Sequence, residues 1–263
     1  MHQHTFVICA YKKSPYLEAC IQSLKKQTVP SEIIMVTSTP NEHISEMSVK
    51  YGIPLYISEG GGSITRDWNF GYAKADAAYV TITHQDDIYL EHYAENVLQH
   101  MNSSKRPLIY FSDYYELRGS KVEKSNTLLR VKRLMLLPLR IKGLQNSRFV
   151  RRRILSFGSP ICCPSVAYAK ENLPGVVFRE GFWSCEDWEA WEMISRRKGS
   201  FLYESRPMMY HRIHEDSATT SIIEGNARSR EEYQMYCKFW PKWFAQIITK
   251  TYAEGQKSNS LDR

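Results

Sequence analysis

Two adjacent aspartates, Asp86 and Asp87, directly follow an apolar run at residues 78–83 that has the character of a buried strand. Neighbouring side chains of an extended chain point to opposite sides, so one carboxylate can hold a divalent cation while the other reaches a ribose or a metal-bound water. Hard oxygen ligands suit Mn²⁺ or Mg²⁺ bridging a diphosphate. A solvated turn or a helix cap is the alternative. The position at the end of a strand strengthens the metal interpretation, but the alternative stays open.

A second acidic pair, Glu186 and Asp187, opens the predicted helix at 185–199. Carboxylates at a helix N-terminus are favoured by the helix dipole, so capping is the simplest role for the pair. An aromatic wall would also exclude water and stack on a sugar, and a carboxylate within such a wall can act as a general base. The neighbouring residues that could form this wall are Trp183, Trp188 and Trp191.

Two histidines, His211 and His214, end a strand-like stretch in the second half of the chain. A neutral imidazole is a plausible third ligand for the metal predicted at Asp86 and Asp87, and a surface histidine is the simpler alternative. Each of the three clusters is weak evidence for a catalytic site when taken alone.

Strands and helices alternate about every 20–25 residues through the first half, which predicts an α/β fold with a parallel, doubly wound sheet. Ligands of such sheets bind beyond the carboxyl ends of the strands, where residues 84–87 lie. The predicted strands there are 5–10, 32–37, 54–58, 78–83 and 107–112, and the predicted helices are 15–27, 42–51, 63–75 and 90–102. Later elements are a strand at 161–168, the helix at 185–199, strand-like pieces at 201–205 and 207–214, and a helical tail at 225–253.

Residues 118–153 form a basic segment with twelve Lys or Arg and one acid, Glu123, a net charge of +11 in a chain whose total is +7. Such a local block indicates a local anionic partner: phosphates, a membrane surface or nucleic acid. Residues 128–142 mix basic and apolar side chains. They could form an amphipathic helix pair on a membrane or a mobile segment over the cleft with solvated charges, and the two interpretations are compatible.

Composition is ordinary for a soluble globular protein, with 43% hydrophobic and 24% charged residues. No apolar run approaches the ~18 residues of a membrane span, and no signal peptide precedes the first strand. The six cysteines lack a zinc-type spacing and indicate reduced thiols, so we expect a cytoplasmic protein. The high aromatic content, 13%, fits either a ligand cleft or an aromatic core.

The clusters occur in the order and spacing of the family 2 glycosyltransferases, which the chain resembles over roughly residues 5–215. Residues 7–28 are similar to the opening strand, Tyr turn and helix of that family. Four further segments resemble its motifs: the donor-binding helix at 67–71, the DxD-type metal motif at 84–87, the acidic base motif at 185–191 and the closing segment at 210–219.

This resemblance implies the GT-A fold, a Rossmann-like, mostly parallel sheet flanked by helices, here with a C-terminal helical extension. It also implies a nucleotide-sugar-binding half at 1–115 and an acceptor-binding and catalytic-base half at 116–215. We expect residues 216–263 to form the helical extension and a disordered tail.

The resemblance also implies a role for each site residue. Asp87 would coordinate the metal, with His214 as the third ligand, and Asp86 would contact the ribose or support the metal. Asp187 would be the catalytic base, with Glu186 as its substitute. Residues expected to contact the nucleotide are Ala10, Tyr11, Thr37, Arg66 and Asn69.

The chain departs from the family pattern at three positions. Thr37 begins a stretch where an acidic residue usually reads the base. Trp68 replaces an arginine that often precedes Asn69, although Arg66 is nearby. His84 stands where the metal motif usually begins with an aspartate. The first two leave the identity of the nucleotide open.

The sequence therefore predicts an inverting, divalent-metal-dependent glycosyltransferase with a nucleotide-diphosphate sugar donor and a saccharide or lipid-linked saccharide acceptor. Bacterial cell-surface polysaccharide synthesis, at the inner face of the plasma membrane through residues 118–153, is the expected setting. The alternative is a catalytically degenerate GT-A binding or scaffold protein. We expect no nucleic-acid partner because no nucleic-acid motif is present. A nucleotidyltransferase is disfavoured because residues 10–16 contain no glycine. The oligomeric state is open.

Overall fold

A computed structural model describes residues 2–59, 62–214 and 227–250. Its first half is a parallel sheet in the order β3-β2-β1-β4. The strands are β1 (His4–Cys9), β2 (Glu32–Thr37), β3 (Leu55–Ile57) and β4 (Tyr79–His84). The helices between them are α1 (Leu17–Lys25), α2 (Glu42–Tyr51) and α3 (Ile64–Lys74).

The second half continues the same sheet in the order β4-β8-β6-β9-β5, with β7 paired to β6. Its strands are β5 (Ile88–Tyr89), β6 (Pro107–Arg118), β7 (Lys121–Glu123), β8 (Val166–Ala169) and β9 (Ser200–Ile213). Its helices are α4 (Tyr93–Ser103), α5 (Thr127–Leu136), α6 (Arg148–Leu155), α7 (Glu186–Ser195) and α8 (Ala227–Cys237), and residues 242–250 are also helical. Short 3₁₀ turns cover Leu137–Arg140, Lys142–Leu144, Cys163–Ser165 and Lys170–Asn172.

The predicted α/β fold is confirmed, and its parallel part is the first half of the chain. In the second half β8 runs antiparallel between β4 and β6, while β9 is parallel to β6. The two strand-like pieces at 201–205 and 207–214 are one long strand, because β9 stays paired with β6 through irregularities in their register. β6 itself spans the predicted boundary at 115/116, so the two predicted halves share one sheet.

The core lies on both faces of the sheet, as expected for strands buried on both sides. β1 shows the division: Val7 packs in the cluster that contains Trp68 of α3, while Phe6 and Ile8 pack in the cluster that contains Leu17 of α1. The helical extension predicted at the C-terminus is present as α8 and residues 242–250. The predicted tail at the end of the chain lies outside the described residues.

The basic segment at 118–153 is partly built into the fold, because one of its cations is buried. Arg151 is 1% exposed, and its guanidinium donates hydrogen bonds to the carbonyls of Ser195 (2.9 Å), Arg197 and Gly199. The Ser195 carbonyl ends α7 and the other two lie in the turn that follows, where the helix dipole favours a cation. Across the helices described here, none is long and apolar enough to cross a bilayer.

Gly71 lets α3 pack closely against the sheet. A Cβ atom at this position would lie 2.4 Å from Val7 Cγ1 and 3.2 Å from Val36 Cγ2, both buried side chains of central strands. The glycine of the segment 67–71 is therefore required by packing.

We expect Gly71→Ala to lower the free energy of unfolding by about 1–3 kcal/mol, because overpacking outweighs the better helix propensity of alanine. Urea denaturation measures this change. Gly143→Ala is the matched control, since nothing lies within 4 Å of its added Cβ. Equal stabilities of the two variants would contradict the close approach of α3.

Candidate active site

The turn after β4 carries Asp86 and Asp87, and the pairing of β5 with β9 brings the end of β9 against it. Ile88 lies opposite Tyr210 in this antiparallel ladder. Asp87, one residue before Ile88, therefore faces the residues that follow Tyr210. The structure thus brings the aspartate pair next to His211 and His214.

Asp87 is completely buried, and only one of its two carboxylate oxygens is hydrogen-bonded. Oδ1 accepts from the backbone N–H of Arg212 at 2.9 Å and from Nδ1 of His211 at 3.0 Å. Oδ2 lies 3.8 Å from His84 Nδ1 and has no hydrogen-bond partner within the described residues. A buried carboxylate oxygen without a partner is costly and indicates that a further group belongs there.

The two histidines beside Asp87 have opposite protonation preferences. Burial lowers the pKa of His84, although Asp87 and Asp86 oppose this effect. Burial would also lower the pKa of His211, but the charge of Asp87 and the hydrogen bond to it raise that pKa above its usual value. His84 is therefore disposed to be the neutral imidazole that a metal requires, and His211 to be the charged partner of Asp87.

Asp86 is the more accessible member of the aspartate pair. Its Oδ2 lies 2.9 Å from His214 Nε2, and both side chains are 18–19% exposed. Its backbone carbonyl accepts a hydrogen bond from Arg212 Nε at 2.8 Å.

Donor atoms of His84, Asp86 and Asp87 lie within 4.8 Å of one another. Carboxylate oxygens suit both Mn²⁺ and Mg²⁺, and an imidazole nitrogen suits Mn²⁺. This donor set, with the Asp87 oxygen that lacks a hydrogen-bond partner in the described residues, therefore fits a divalent ion. The sequence offered His84 only as a departure from the family pattern, and the structure makes it a further candidate ligand.

The loop after β1 is tied to the metal motif by two reciprocal hydrogen bonds. The N–H of Tyr11 donates to Gln85 Oε1 at 3.0 Å, and Gln85 Nε2 donates to the Tyr11 carbonyl at 2.9 Å. Lys12 follows with a φ of 53°, in the left-handed region that non-glycine residues rarely adopt. Its N–H donates to Thr39 Oγ1 at 2.7 Å, which holds this conformation.

Three of the residues expected at the nucleotide differ in their access to the cleft. Tyr11 is 50% exposed and available for contact. Ala10 and Thr37 are buried, and the Thr37 hydroxyl accepts the N–H of Thr39. Thr37 therefore shapes the loop after β2, and any contact of Ala10 with a nucleotide would be through its backbone.

Asn69 and Arg66 of α3 fasten the segment that leads to α7. Asn69 Oδ1 accepts from the N–H groups of Val177 and Phe178 at 3.1 Å, and its Nδ2 donates to the Phe178 carbonyl at 2.6 Å. Arg66 forms a two-bond ion pair with Glu180, at 2.9 and 3.0 Å. Their predicted role at the nucleotide rests on their position in a motif, and no sequence pattern indicates partners more than 100 residues away.

The acidic pair lies in the first turn of α7, as predicted. Asp187 Oδ1 accepts the N–H of its chain neighbour Trp188 at 2.6 Å, and the residue before the helix, Cys185, makes no side-chain cap hydrogen bond. Burial raises the pKa of Asp187, while that hydrogen bond and the charges of Lys132 and Arg228 oppose the rise. Burial also raises the pKa of Glu186, to about 7, with help from the charge of Asp187. Both carboxyls thus titrate above their usual range, as a general base requires.

The predicted aromatic wall beside these acids is wrong for two of its three members. Trp191 is fully buried and stacks on Tyr168, and Trp188 is 3% exposed with its Nε1 donating to the Leu155 carbonyl. Both belong to the core. Trp183 is 71% exposed and remains available to a ligand.

Glu231 of α8 holds the loop before α7 in place. Its two oxygens accept the N–H groups of Trp183 and Ser184 at 2.9 Å and the Ser184 hydroxyl at 2.7 Å. Lys238 adds an ion pair to Glu189 of α7 at 2.5 Å. The sequence reasoning missed these residues, since a charged residue in a helical tail is most often solvated.

Lys132 is a second residue that the sequence reasoning missed. It lies on the inner side of α5, and its Nζ donates to the Tyr114 hydroxyl at 2.9 Å. Burial opposes its charge, but Tyr114, Cys162 and Asp187 raise its pKa overall. Burial likewise raises the pKa of Cys162, which lies within the fields of Lys132, Asp87 and Asp187. The Lys132 ammonium thus acts on Asp187, the predicted base, and Cys162 lies within the fields of both acidic centres.

The family model described as Glycosyl transferase family 2 matches residues 5–170, which is more than half of the 263-residue chain. No curated protein matches the chain significantly.

Solved structures share the fold. S. aureus TarS 1-349 is 16% identical, with a TM-score of 0.60, and the match covers 92% of this chain and 72% of that one. Its complex with UDP-GlcNAc also gives 16% and 0.60, covering 94% and 70%. The mannosyltransferase PcManGT from Pyrobaculum calidifontis, in complex with GDP-Man and Mn²⁺, is 14% identical with a TM-score of 0.59, covering 95% and 69%. The predicted GT-A fold is confirmed by this similarity.

The raised pKa of Glu186 predicts a pH-dependent stability. The folded protein retains this proton up to about pH 7, whereas the unfolded chain loses it near the usual value of 4.5. The folded state binds more protons in that window, so this group makes stability fall as the pH rises through it. Glu186→Gln removes this penalty, and we expect it to stabilise the protein by up to roughly 3 kcal/mol more at pH 8 than at pH 4.5.

Urea denaturation at both pH values measures the difference. Glu18→Gln is the control, because hydrogen bonds from Lys50 and Tyr51 lower the pKa of that carboxyl. A Glu186→Gln effect of the same size at both pH values would show that this carboxyl titrates normally.

Proposed function

Since the chain belongs to glycosyl transferase family 2, it is a glycosyltransferase, and we propose that it is an inverting, metal-dependent one. It moves a sugar from a nucleotide diphosphate to an acceptor hydroxyl. Residues 1–115 bind the donor, and residues 116–215 bind the acceptor and supply the base.

The observation that carries this proposal is the grouping of two acidic centres at the carboxyl end of β4 and the start of α7. Asp87 has a buried oxygen without a hydrogen-bond partner in the described residues, and Asp187 has a raised pKa. Cys162 lies within the electrostatic reach of both. Both acidic centres thus act on one buried thiol, which supports assigning the diphosphate site and the proton acceptor to a single cleft.

The donor is a nucleoside-diphosphate sugar, and the ion is Mn²⁺ or Mg²⁺. Among the similar structures, S. aureus TarS is in complex with UDP-GlcNAc and PcManGT is in complex with GDP-Man and Mn²⁺. Asp86, Asp87 and His214 would hold the ion, with His84 as a further ligand. A bound ion would offset negative charge on the departing diphosphate.

Asp187 accepts the proton of the acceptor hydroxyl as that oxygen forms a bond to the anomeric carbon. The bond from this carbon to the diphosphate breaks, and the diphosphate leaves with the electron pair. Attack from the face opposite the leaving group inverts the configuration. The raised pKa of Asp187 supports this role, since a base close to the working pH transfers protons most effectively. Glu186 is the alternative base.

The acceptor is a saccharide or a lipid-linked saccharide, and the setting is bacterial cell-surface polysaccharide synthesis at the inner face of the plasma membrane. The basic segment at 118–153 supports an anionic partner near the acceptor half. Part of that charge is internal, as Arg151 shows, so the exposed remainder carries the contact.

The first test is calorimetric titration of UDP, dTDP, GDP and CMP, each with and without Mn²⁺. We expect one nucleoside diphosphate to bind only with the metal. Asp87→Ala should weaken that binding by at least about 10–100-fold, a loss typical even for partners of metal ligands. Glu91→Ala, an exposed acid just after the motif, is the matched control and should bind as the wild type does. Absence of binding under every condition would favour a degenerate scaffold protein.

A second test separates the base from the donor site. Asp187→Asn should lower kcat by about 10²–10⁴ and leave nucleoside-diphosphate affinity nearly unchanged, because general-base help acts on the chemical step. Glu186→Gln, measured in parallel, should retain most of the turnover. The reverse pattern would assign the base to Glu186, and equal losses of donor affinity and turnover in Asp187→Asn would refute the assignment of Asp187.

A further inference from the structure

Exposed apolar side chains are concentrated in one part of the surface. Of the fifteen large hydrophobic residues that are exposed in the described chain, nine fall within 128–157 and 243–247. The most exposed of these nine are Phe149 (71%), Leu134 (66%), Trp243 (64%) and Ile141 (60%). A patch of this kind on a soluble protein marks an interaction surface.

Helix α5 is apolar on two opposite sides. Leu129 and Leu136 are buried in the protein, whereas Val131 and Leu134 are 49% and 66% exposed. At 100° per residue, these two pairs lie on opposite faces of the helix. A helix that packs on one side only is expected to be polar on the other. The outer face of α5 is therefore suited to contact another apolar phase.

The same stretch exposes many cations. Arg130, Arg140, Lys142, Arg148 and Arg153 are all exposed, interleaved with the apolar residues. Apolar side chains flanked by Lys and Arg are typical of helices that lie in a membrane interface. Anionic lipid headgroups complement both features of this surface, because their phosphates pair with the cations while the acyl chains receive the apolar side chains.

The C-terminal helical residues extend this surface. The Arg153 guanidinium lies 4.6 Å from the ring centroid of Trp240 and 5.5 Å from that of Phe149. Trp240 contacts Phe244, whose ring centroid lies 5.4 Å from that of the exposed Trp243. Residues 242–250 therefore adjoin α6.

We infer that residues 128–157 and 242–250 form a membrane-docking surface for anionic lipid. Its Leu, Val, Ile, Phe and Trp side chains enter the boundary between headgroups and acyl chains, and its Lys and Arg side chains bind lipid phosphates. The inserted apolar groups add an attraction to the membrane that salt does not screen, unlike the attraction between the cations and the lipid phosphates.

Vesicle sedimentation tests the surface without donor or acceptor, so its failure would leave the transferase function standing. The wild type should bind vesicles with about 30% phosphatidylglycerol at low salt and keep part of this binding at about 0.5 M salt. The variant Val131→Ser/Leu134→Ser/Phe149→Ser should lose the salt-resistant part by at least about tenfold. The variant Arg130→Gln/Lys142→Gln/Arg148→Gln should lose the preference for anionic lipid, at about fivefold per charge.

The control is Val49→Ser/Val176→Ser, which removes two comparably exposed apolar residues outside the surface. It should bind vesicles like the wild type, and unchanged circular dichroism should show that all variants fold. Loss of binding by the control, or no wild-type binding at low salt, would overturn the inference. So would a wild-type dimer that the apolar variant converts to a monomer while neither binds vesicles, since the surface would then join two copies.

Brominated lipids give an independent measurement. Their quenching of tryptophan fluorescence should fall in Trp243→Phe and persist in Trp183→Phe, because Trp183 is equally exposed but adjoins α7. Equal quenching in the two variants would show that residues 242–250 do not enter the membrane.

Discussion

The short pairing of β5 with β9 is the contact on which the candidate site depends. It involves only two residues of β5, yet it brings residues 211–214 against the turn that holds Asp86 and Asp87. β9 is held in register by its long pairing with β6, so the position of the histidines is fixed from the centre of the sheet. The buried Asp87 then joins the two segments through hydrogen bonds from Arg212 and His211.

The acidic pair of α7 is positioned by side chains from both ends of the chain. Asn69 and Arg66 of α3 bind the segment 177–180, and Glu231 of α8 binds residues 183–184. Arg151 closes the opposite end of α7 through three carbonyl groups. Charged and amide side chains thus replace the regular secondary structure that the loop before α7 lacks.

Much of this arrangement follows from the sequence, and the limits have physical causes. Strands β1 to β4, the first half of β6 and the acid at the carboxyl end of β4 could be predicted, because buried strands and parallel connections leave local patterns, whereas the two-residue β5 is too short to leave one. The roles of Asn69, Arg66, Glu231 and Lys132 could not, because each depends on a partner distant in the chain. Trp188 and Trp191 were misassigned for the same reason, since a buried ring and a ligand-facing ring look alike in a sequence. The roles of the metal and nucleotide residues remain predictions.

The fork of hydrogen bonds from Asn69 has a dynamic consequence. It joins the helix expected to face the donor to the segment that leads to the acidic pair, with all three bonds ending on backbone groups of Val177 and Phe178. A side chain that is hydrogen-bonded to backbone groups in this way transmits displacement whatever side chains those residues carry. A shift of α3 would therefore carry residues 177–178 with it, so the halves of the site are mechanically coupled even though the metal turn and α7 lie about 100 residues apart in the chain.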